Sequence, residues 1–334
     1  MGENAHARNP FSTDRSPPVR LPPLLLQQCW FLAGPTAGGK SAVALELAQL
    51  LGAEILALDS MTLYRGLDLG TAKPTIADRA SVPHHLLDIL DPDQEFSVAE
   101  YLHVARDCCE DILGRGRVPL FVGGTGLYLR SVLRGVFEGP PADAEFRRQK
   151  EDQALRSGPD SLHAELARID APSAARLHPN DLRRVIRALE VHHLTGRTLS
   201  EQHEQGPRPP GERPQHVYWL SPPREVLYQR IDQRVNAMFA AGWLAEAEQL
   251  AKREPPLGPT ARKALGYQEL FDWFDRGRLE PLSTVIETIQ TRTRQFSKRQ
   301  LTWFRNLEEC RSVEIRGDES PAAIAARLRD IAAG

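Results

Sequence analysis

The 334-residue sequence has no apolar run long enough to cross a bilayer, which excludes a helical membrane protein. It has only four cysteines, Cys29, Cys108, Cys109 and Cys310, at spacings that make neither a CxxC pair nor a Cys/His zinc framework. They read as reduced, cytosolic thiols. A surplus of positive charge is missing too: the formal net charge is −2, so no chain-wide field attracts phosphates. Any nucleic-acid partner must therefore be met by a local basic face. Internal repeats are absent. What remains is the composition of a soluble protein, 41% hydrophobic and 26% charged, long enough for two domains or for one large α/β domain with an insertion.

The first 28 residues carry Arg8, Arg15 and Arg20 among Pro10, Pro17, Pro18, Pro22 and Pro23. Their one apolar run, Leu24 to Leu26, is too short for a secretory signal, and the prolines break the amphipathic helix of a mitochondrial transit peptide. A disordered leader over residues 1–28 is expected. From Cys29 to Ala33 the residues suit a buried strand, and the glycine-rich turn after them opens into a helix over Ser41–Leu51. Two further apolar runs, Glu54–Leu58 and Val118–Val122, stop at Asp59 and at Gly123-Gly124-Thr125-Gly126. In a parallel α/β sheet ligands bind beyond the carboxyl ends of the strands, so Asp59 and Thr125 should face the first loop.

Strand-like runs vanish between Arg130 and Leu199, where Ser161–Ile169 and Asp181–Leu194 show helical spacing. Strand character returns at His216–Leu220 and at Val313–Ile315, with helices over Arg224–Arg253 and Leu279–Phe304. Gly206–Pro214, rich in proline, reads as a flexible connector. The fold expected is a P-loop NTPase-like parallel sheet flanked by helices, with a mostly helical insertion: a core over 29–135 and 206–334, and the insertion over 136–205.

The sharpest motif is Gly34-Pro35-Thr36-Ala37-Gly38-Gly39-Lys40-Ser41, which fits GxxxxGK[ST] in its strand-to-helix setting. Backbone N–H groups at a helix start cradle an oligophosphate, Lys40 adds positive charge, and the Ser41 hydroxyl suits Mg²⁺. The loop alone does not say which phosphate ester it holds, and an ordinary nucleoside triphosphate is the commonest occupant. Against that stands a missing acid, because the run Val118–Val122 ends in Gly-Gly-Thr where a kinase or NTPase usually has a Walker-B carboxylate.

The motifs that follow are more specific. The chain resembles the tRNA dimethylallyltransferase (tRNA isopentenyltransferase) family, bacterial type, in its GPTA-x-GK-[ST] loop, in the DS-x-x-x-Y-[RK]-x-x-D-x-GTAKP block at Asp59–Pro74, and in VGGT-x-LY at Val122–Tyr128. PHHLLD at Pro83–Asp88, HPND at His178–Asp181, RALEV at Arg187–Val191, Gly266-Tyr267, and KRQ-x-TWFR at Lys298–Arg305 follow in the family's order. The resemblance implies transfer of a dimethylallyl group from dimethylallyl diphosphate to N6 of adenosine 37, beside the anticodon, in tRNAs reading codons that begin with U. It implies that Gly34–Ser41 holds the diphosphate, with Arg234 assisting and Mg²⁺ on Ser41, and Arg230 lies one helical turn from Arg234. Adenine N6 is a poor nucleophile, so a base must take its proton; the family gives that role to Asp59 and sets Thr125 beside the same amine.

The same resemblance sets Asp59-Ser60-Met61-Thr62, Thr125, Arg147, Arg183-Arg184-Val185-Ile186-Arg187 and Lys263-Ala264-Leu265-Gly266-Tyr267-Gln268 against the tRNA anticodon stem-loop. Taken alone, Arg183, Arg184 and Arg187 would be a solvated basic face. A second basic run, Arg292, Arg294, Lys298, Arg299 and Arg305, is interleaved with Phe296, Trp303 and Phe304, whose helical spacing points them at the core. His84 and His85 lack partners at ligand spacing and read as structural. Two departures stand out: Gly38 replaces the usual serine, and Thr62 stands where many relatives have glutamine. The zinc finger of the eukaryotic relatives is absent, which favours a bacterial-type enzyme and a cytoplasmic address, and the resemblance implies a monomer. The rival activities are an adenylate isopentenyltransferase acting on free AMP, a small-molecule P-loop kinase, and an RNA-binding P-loop NTPase that binds ATP.

Overall fold

Six short strands form one all-parallel sheet in the computed structural model, which describes residues 19–202 and 206–333. They are β1 Trp30–Ala33, β2 Ala53–Leu58, β3 His84–His85, β4 Val118–Gly123, β5 His216–Ser221 and β6 Arg311–Glu314. Their spatial order is β3-β2-β4-β1-β5-β6. All six residues of β2 are buried, as expected of a strand covered on both faces. The edges are a two-residue strand and a mostly exposed one, which keeps open hydrogen-bonding edge short.

Period-two alternation sorts the strand side chains. Leu32, Leu120, Tyr218 and Val313 pack with Val43, Ala44, Leu47 and Ala48 of the helix Lys40–Leu51 and with Ala325 and Leu328 of the helix Pro321–Ala333. Phe31 and Phe121 alternate with that set, their rings stacked at a centroid distance of 5.0 Å. The helix Val98–Gly114 starts at a capping box of Ser97 and Glu100, and its Tyr101 hydroxyl donates to the carbonyl of Ala57 at 2.8 Å.

The chain divides into two compact units. The sheet belongs to the unit made of Arg20–Arg134 and Pro207–Gly334. The other comprises Gly135–Gly206, to which Val19 is paired through Val136, and contains no strand among its described residues. Its helices Ala144–Ser157, Pro159–Ile169, Ala171–Arg176 and Leu182–Thr195 enclose a core of their own built on Ala154, Leu162, Leu166, Val185, Ile186 and Leu189.

Four expectations need correction. Residues 1–18 of the expected leader lie outside the described residues, but 19–28 are part of the fold: Pro23–Gln27 is a helix that buries Leu25 and Leu26. A run too short for a signal peptide is long enough to bury one helical turn. Residues 203–205 also lie outside the described residues, whereas the Gly206–Pro214 connector that follows them is held in place rather than flexible. There Arg208 is buried and donates to the carbonyls of Leu133 and Leu21, both at 2.8 Å. The helix expected over Arg224–Arg253 is two, Arg224–Ala240 and Trp243–Ala251, separated at Gly242 with φ 103°. Finally, β3 was not expected, because a pair of histidines gives no apolar signal.

Candidate active site

The phosphate loop owes its shape to two residues in left-handed backbone, Ala37 at φ 59° and Gly39 at φ 87°. They turn the chain into the helix that begins at Lys40, whose first N–H groups have no partner within the helix. Gly38 sits where a Cβ would lie 2.9 Å from the carbonyl oxygen of Pro35. That carbonyl accepts from the Gly38 N–H at 3.1 Å and from Lys40 Nζ at 2.7 Å. Burial, reinforced by the positive charge of Arg234 and opposed by Asp59, brings the Lys40 ammonium down to about 7. Arg234, on the helix Arg224–Ala240, points Nη1 at the Thr36 hydroxyl 3.5 Å away.

Strand register brings the next two groups together. β2 and β4 pair so that Leu58 lies opposite Gly123, and both chains leave the sheet there. A Cβ on Gly123 would lie 2.1 Å from the Leu58 carbonyl oxygen, so only glycine permits this approach. The Thr125 N–H then donates to the Leu58 carbonyl at 3.2 Å, and the Ser60 N–H donates to Thr125 Oγ1 at 3.3 Å. Asp59 sits inside this link, with Oδ1 accepting from the Met61 N–H at 2.8 Å. Burial pushes its carboxyl above the usual aspartate range, against the pull of the Met61 N–H and the Lys40 charge.

Asp59, Ser60, Met61, Thr62 and Thr125 line one cavity of about 630 Å³ together with Thr36, Ala37, Lys40, Ser41 and Arg234. Its apolar wall includes Ile231, Val235 and Met238, and Lys263, Ala264, Leu265 and Gln268 line it as well. A second cavity of about 280 Å³ lies on Ala37–Ala42, Arg230 and Arg234. No group of three or more His, Cys, Asp or Glu side chains able to hold a metal occurs among the described residues.

Several residues expected at the RNA have other work. The Tyr267 side chain is fully buried; its hydroxyl donates to Glu246 and accepts from the Gly70 N–H at 3.0 Å. Gly266 has φ 88°, and a Cβ there would strike the Trp243 ring at 2.2 Å. In the helical unit, Val185 and Ile186 are core side chains. Arg147 grips the buried Glu190 carboxylate through two bonds of 2.8 Å, and Arg187 binds the same carboxylate at 2.5 Å. Arg183 and Arg184 are exposed, with Arg184 3.1 Å from Asp181. His84 Nδ1 bonds the Val82 carbonyl at 2.7 Å while its ring lines the cavity, and His85 pairs with Glu54.

Sequence reasoning did not place Gln300, Phe296 or Arg299 at the cavity, which all three line. Phe304 is in the core as expected, but Phe296 turns to the cavity, with the Arg299 guanidinium 5.7 Å from its ring centre. The available signal was the KRQ motif itself. Arg292 and Arg294 pair with Glu269 and Asp232, so part of that basic run is neutralised within the chain.

Residues 62–307 match the family described as IPP transferase. The chain is 45% identical over 320 residues to a tRNA dimethylallyltransferase of Methylococcus capsulatus, covering 93% of this chain and 99% of that one. It is 46% identical over 297 residues to a tRNA dimethylallyltransferase of Anaeromyxobacter dehalogenans, covering 89% and 97%. Among solved structures, the full-length tRNA isopentenylpyrophosphate transferase of Bacillus halodurans matches with a TM-score of 0.66 at 36% identity over 92% of this chain and 96% of that one. A eukaryotic dimethylallyltransferase acting on tRNA matches with a TM-score of 0.72 at 30% identity over 91% and 77%. With most of its length matched, and with a phosphate loop, an aspartate and a threonine converging on one cavity, the chain belongs to the IPP transferase family.

Proposed function

We propose that this protein is a tRNA dimethylallyltransferase: it moves the dimethylallyl group of dimethylallyl diphosphate to N6 of adenosine 37 in tRNAs reading codons that begin with U, releasing diphosphate. The observation that carries the reading is that Asp59 and Thr125 share one cavity with Lys40, Ser41 and Arg234. A base acceptor and an oligophosphate cradle in one chamber suit alkylation of an amine by a diphosphate ester.

In the proposed reaction the C1–O bond of the donor breaks as the N6–C1 bond forms, and the diphosphate departs with the bonding electrons. Lys40 leaves the Pro35 carbonyl for the diphosphate, where its charge and that of Arg234 offset the negative charge that grows on the leaving oxygen. Asp59 takes the N6 proton, a role favoured by a carboxyl raised above its ordinary range. Thr125 Oγ1, oriented by the Ser60 N–H, holds the amine. The Ser41 hydroxyl, which lines the cavity at the start of the phosphate-loop helix, would hold Mg²⁺ beside the bound diphosphate, as suits an ion that binds chiefly through substrate phosphates. It would supply charge neutralisation to the leaving diphosphate. A stacked adenine must leave the loop to enter such a chamber, and exposed Arg183 and Arg184 of the helical unit are suited to the phosphates of the anticodon stem-loop. The protein acts as a cytoplasmic monomer; no described helix is long and apolar enough to cross a membrane.

The test is mass spectrometry of nucleosides after incubation with unmodified tRNA, dimethylallyl diphosphate and Mg²⁺, with free AMP in a parallel reaction. N6-dimethylallyladenosine in tRNA alone is the expected result. Product from AMP alone would move the activity to free nucleotides, and RNA-stimulated ATP hydrolysis without product would make the chain an NTPase.

A further inference from the structure

We infer that Gln300 is a positioning residue that sets the distance between the leaving diphosphate and the acceptor amine; the inference rests on the transfer reaction proposed above. Gln300 lies on the helix Leu282–Arg305, and its side chain is almost wholly buried at the wall of the reaction cavity. Its amide oxygen accepts from the N–H of Thr36 in the phosphate loop at 2.8 Å. Its amide nitrogen donates to the carbonyl of Gly124, the residue before Thr125, at 2.9 Å. One planar amide therefore joins the loop that holds the donor to the loop that holds the acceptor.

The surrounding sequence is built for that link. A Cβ on Gly124 would lie 2.3 Å from Gln300 Nε2, so the second glycine of the VGGT block leaves room for this amide. Gly126 is matched in the same way by Trp303, one helical turn beyond Gln300, whose ring a Cβ on Gly126 would meet at 2.6 Å. The KRQ-x-TWFR motif thus packs into the glycines of the VGGT block, 176 positions away in sequence between Gln300 and Gly124. Both bonds also fix which end of the amide is which. The carbonyl must face an N–H and the NH₂ must face a carbonyl, so no ionised carboxylate can replace it.

Nothing in this arrangement puts Gln300 on the reacting atoms. Its effect is on alignment, and misplacement by an ångström costs on the order of a hundredfold in rate while each substrate still binds. Gln300→Met keeps the length and removes both bonds. It is expected to lower kcat by about 30-fold, with KM for dimethylallyl diphosphate and for tRNA each changed less than threefold. Gln300→Glu supplies a second test that does not depend on the first variant folding. Its protonated carboxyl has one O–H and one C=O and can restore both bonds, whereas its ionised form repels the Gly124 carbonyl. The ratio of variant to wild-type kcat is therefore expected to rise as pH falls from 8 to 6, a signature that a merely structural glutamine would not give.

Wild-type protein measured beside the variants separates the two claims. Absence of N6-dimethylallyladenosine with wild type would sink the proposed function itself. With an active wild type, a Gln300→Met kcat within threefold of normal, a loss confined to donor KM, or a flat pH ratio for Gln300→Glu would each overturn the role of Gln300.

Discussion

Removing the charge of Lys40 should abolish a proton uptake that accompanies donor binding. Lys40 is buried beside Arg234 and bonded only to a neutral carbonyl, which brings its ammonium down to about 7. A diphosphate in the loop would replace that carbonyl with full negative charge and hold the lysine protonated. At pH 8 the free lysine is about nine-tenths neutral, so binding should take up about 0.9 proton, falling to about 0.1 at pH 6. The sign follows: a group that must be protonated to bind loses affinity as pH rises through its free value, by about tenfold per unit above pH 7. Calorimetric titration of dimethylallyl diphosphate with Mg²⁺ in two buffers of different ionisation enthalpy reads the protons directly. Lys40→Met should bind weakly and without uptake, and Arg234→Gln should shift the uptake to higher pH by removing a neighbouring charge. Equal uptake in wild type and Lys40→Met, or none at pH 8 in wild type, would refute the reasoning.

Arg183→Ala with Arg184→Ala should weaken tRNA binding and reduce the slope of log affinity against log salt by about 1.5, read by filter binding over a salt series. Arg187→Ala should act on stability instead, because its guanidinium is bound to Glu190 and to the Pro140 carbonyl. Glu190→Gln should lower the stability of the helical unit by about 2 kcal/mol by denaturant titration, since two arginines lose a charged partner but are themselves part-exposed. Hydrogen bonds from Arg147, Arg187 and the Asp143 N–H outweigh burial and hold that carboxyl below the usual glutamate range. Its contribution is therefore present above the unfolded value and lost as pH falls through the folded one. Gly266→Ala should cost about 3 kcal/mol, from positive φ and a clash with Trp243, and thermal unfolding would show it.

The catalytic half of the chain was readable because its signals are local. Apolar runs that end abruptly marked β1, β2 and β4, and the carboxyl ends of parallel strands share one edge, so Asp59 and Thr125 could be assigned to the phosphate loop's crevice. Residues that act through distant partners were not readable. Gln300 stands in the KRQ motif, but what it does there shows only when Thr36 and Gly124 are seen at either end of its amide. Arginines expected at RNA divided in the same way: Arg147 and Arg187 have an internal partner in Glu190, which spacing alone does not distinguish from a solvated face. Helical periodicity also misassigned Phe296, since a helix beside a cavity offers its aromatic side chains to two kinds of surface.

The measurement that tests the chemistry most directly is a rapid-quench single turnover of Asp59→Asn, with tRNA and dimethylallyl diphosphate both saturating. The chemical step is expected to slow by between about a hundredfold and ten-thousandfold, with both dissociation constants within threefold of wild type. A rate within a few fold of wild type would contradict proton removal by Asp59 and leave the cavity without its base.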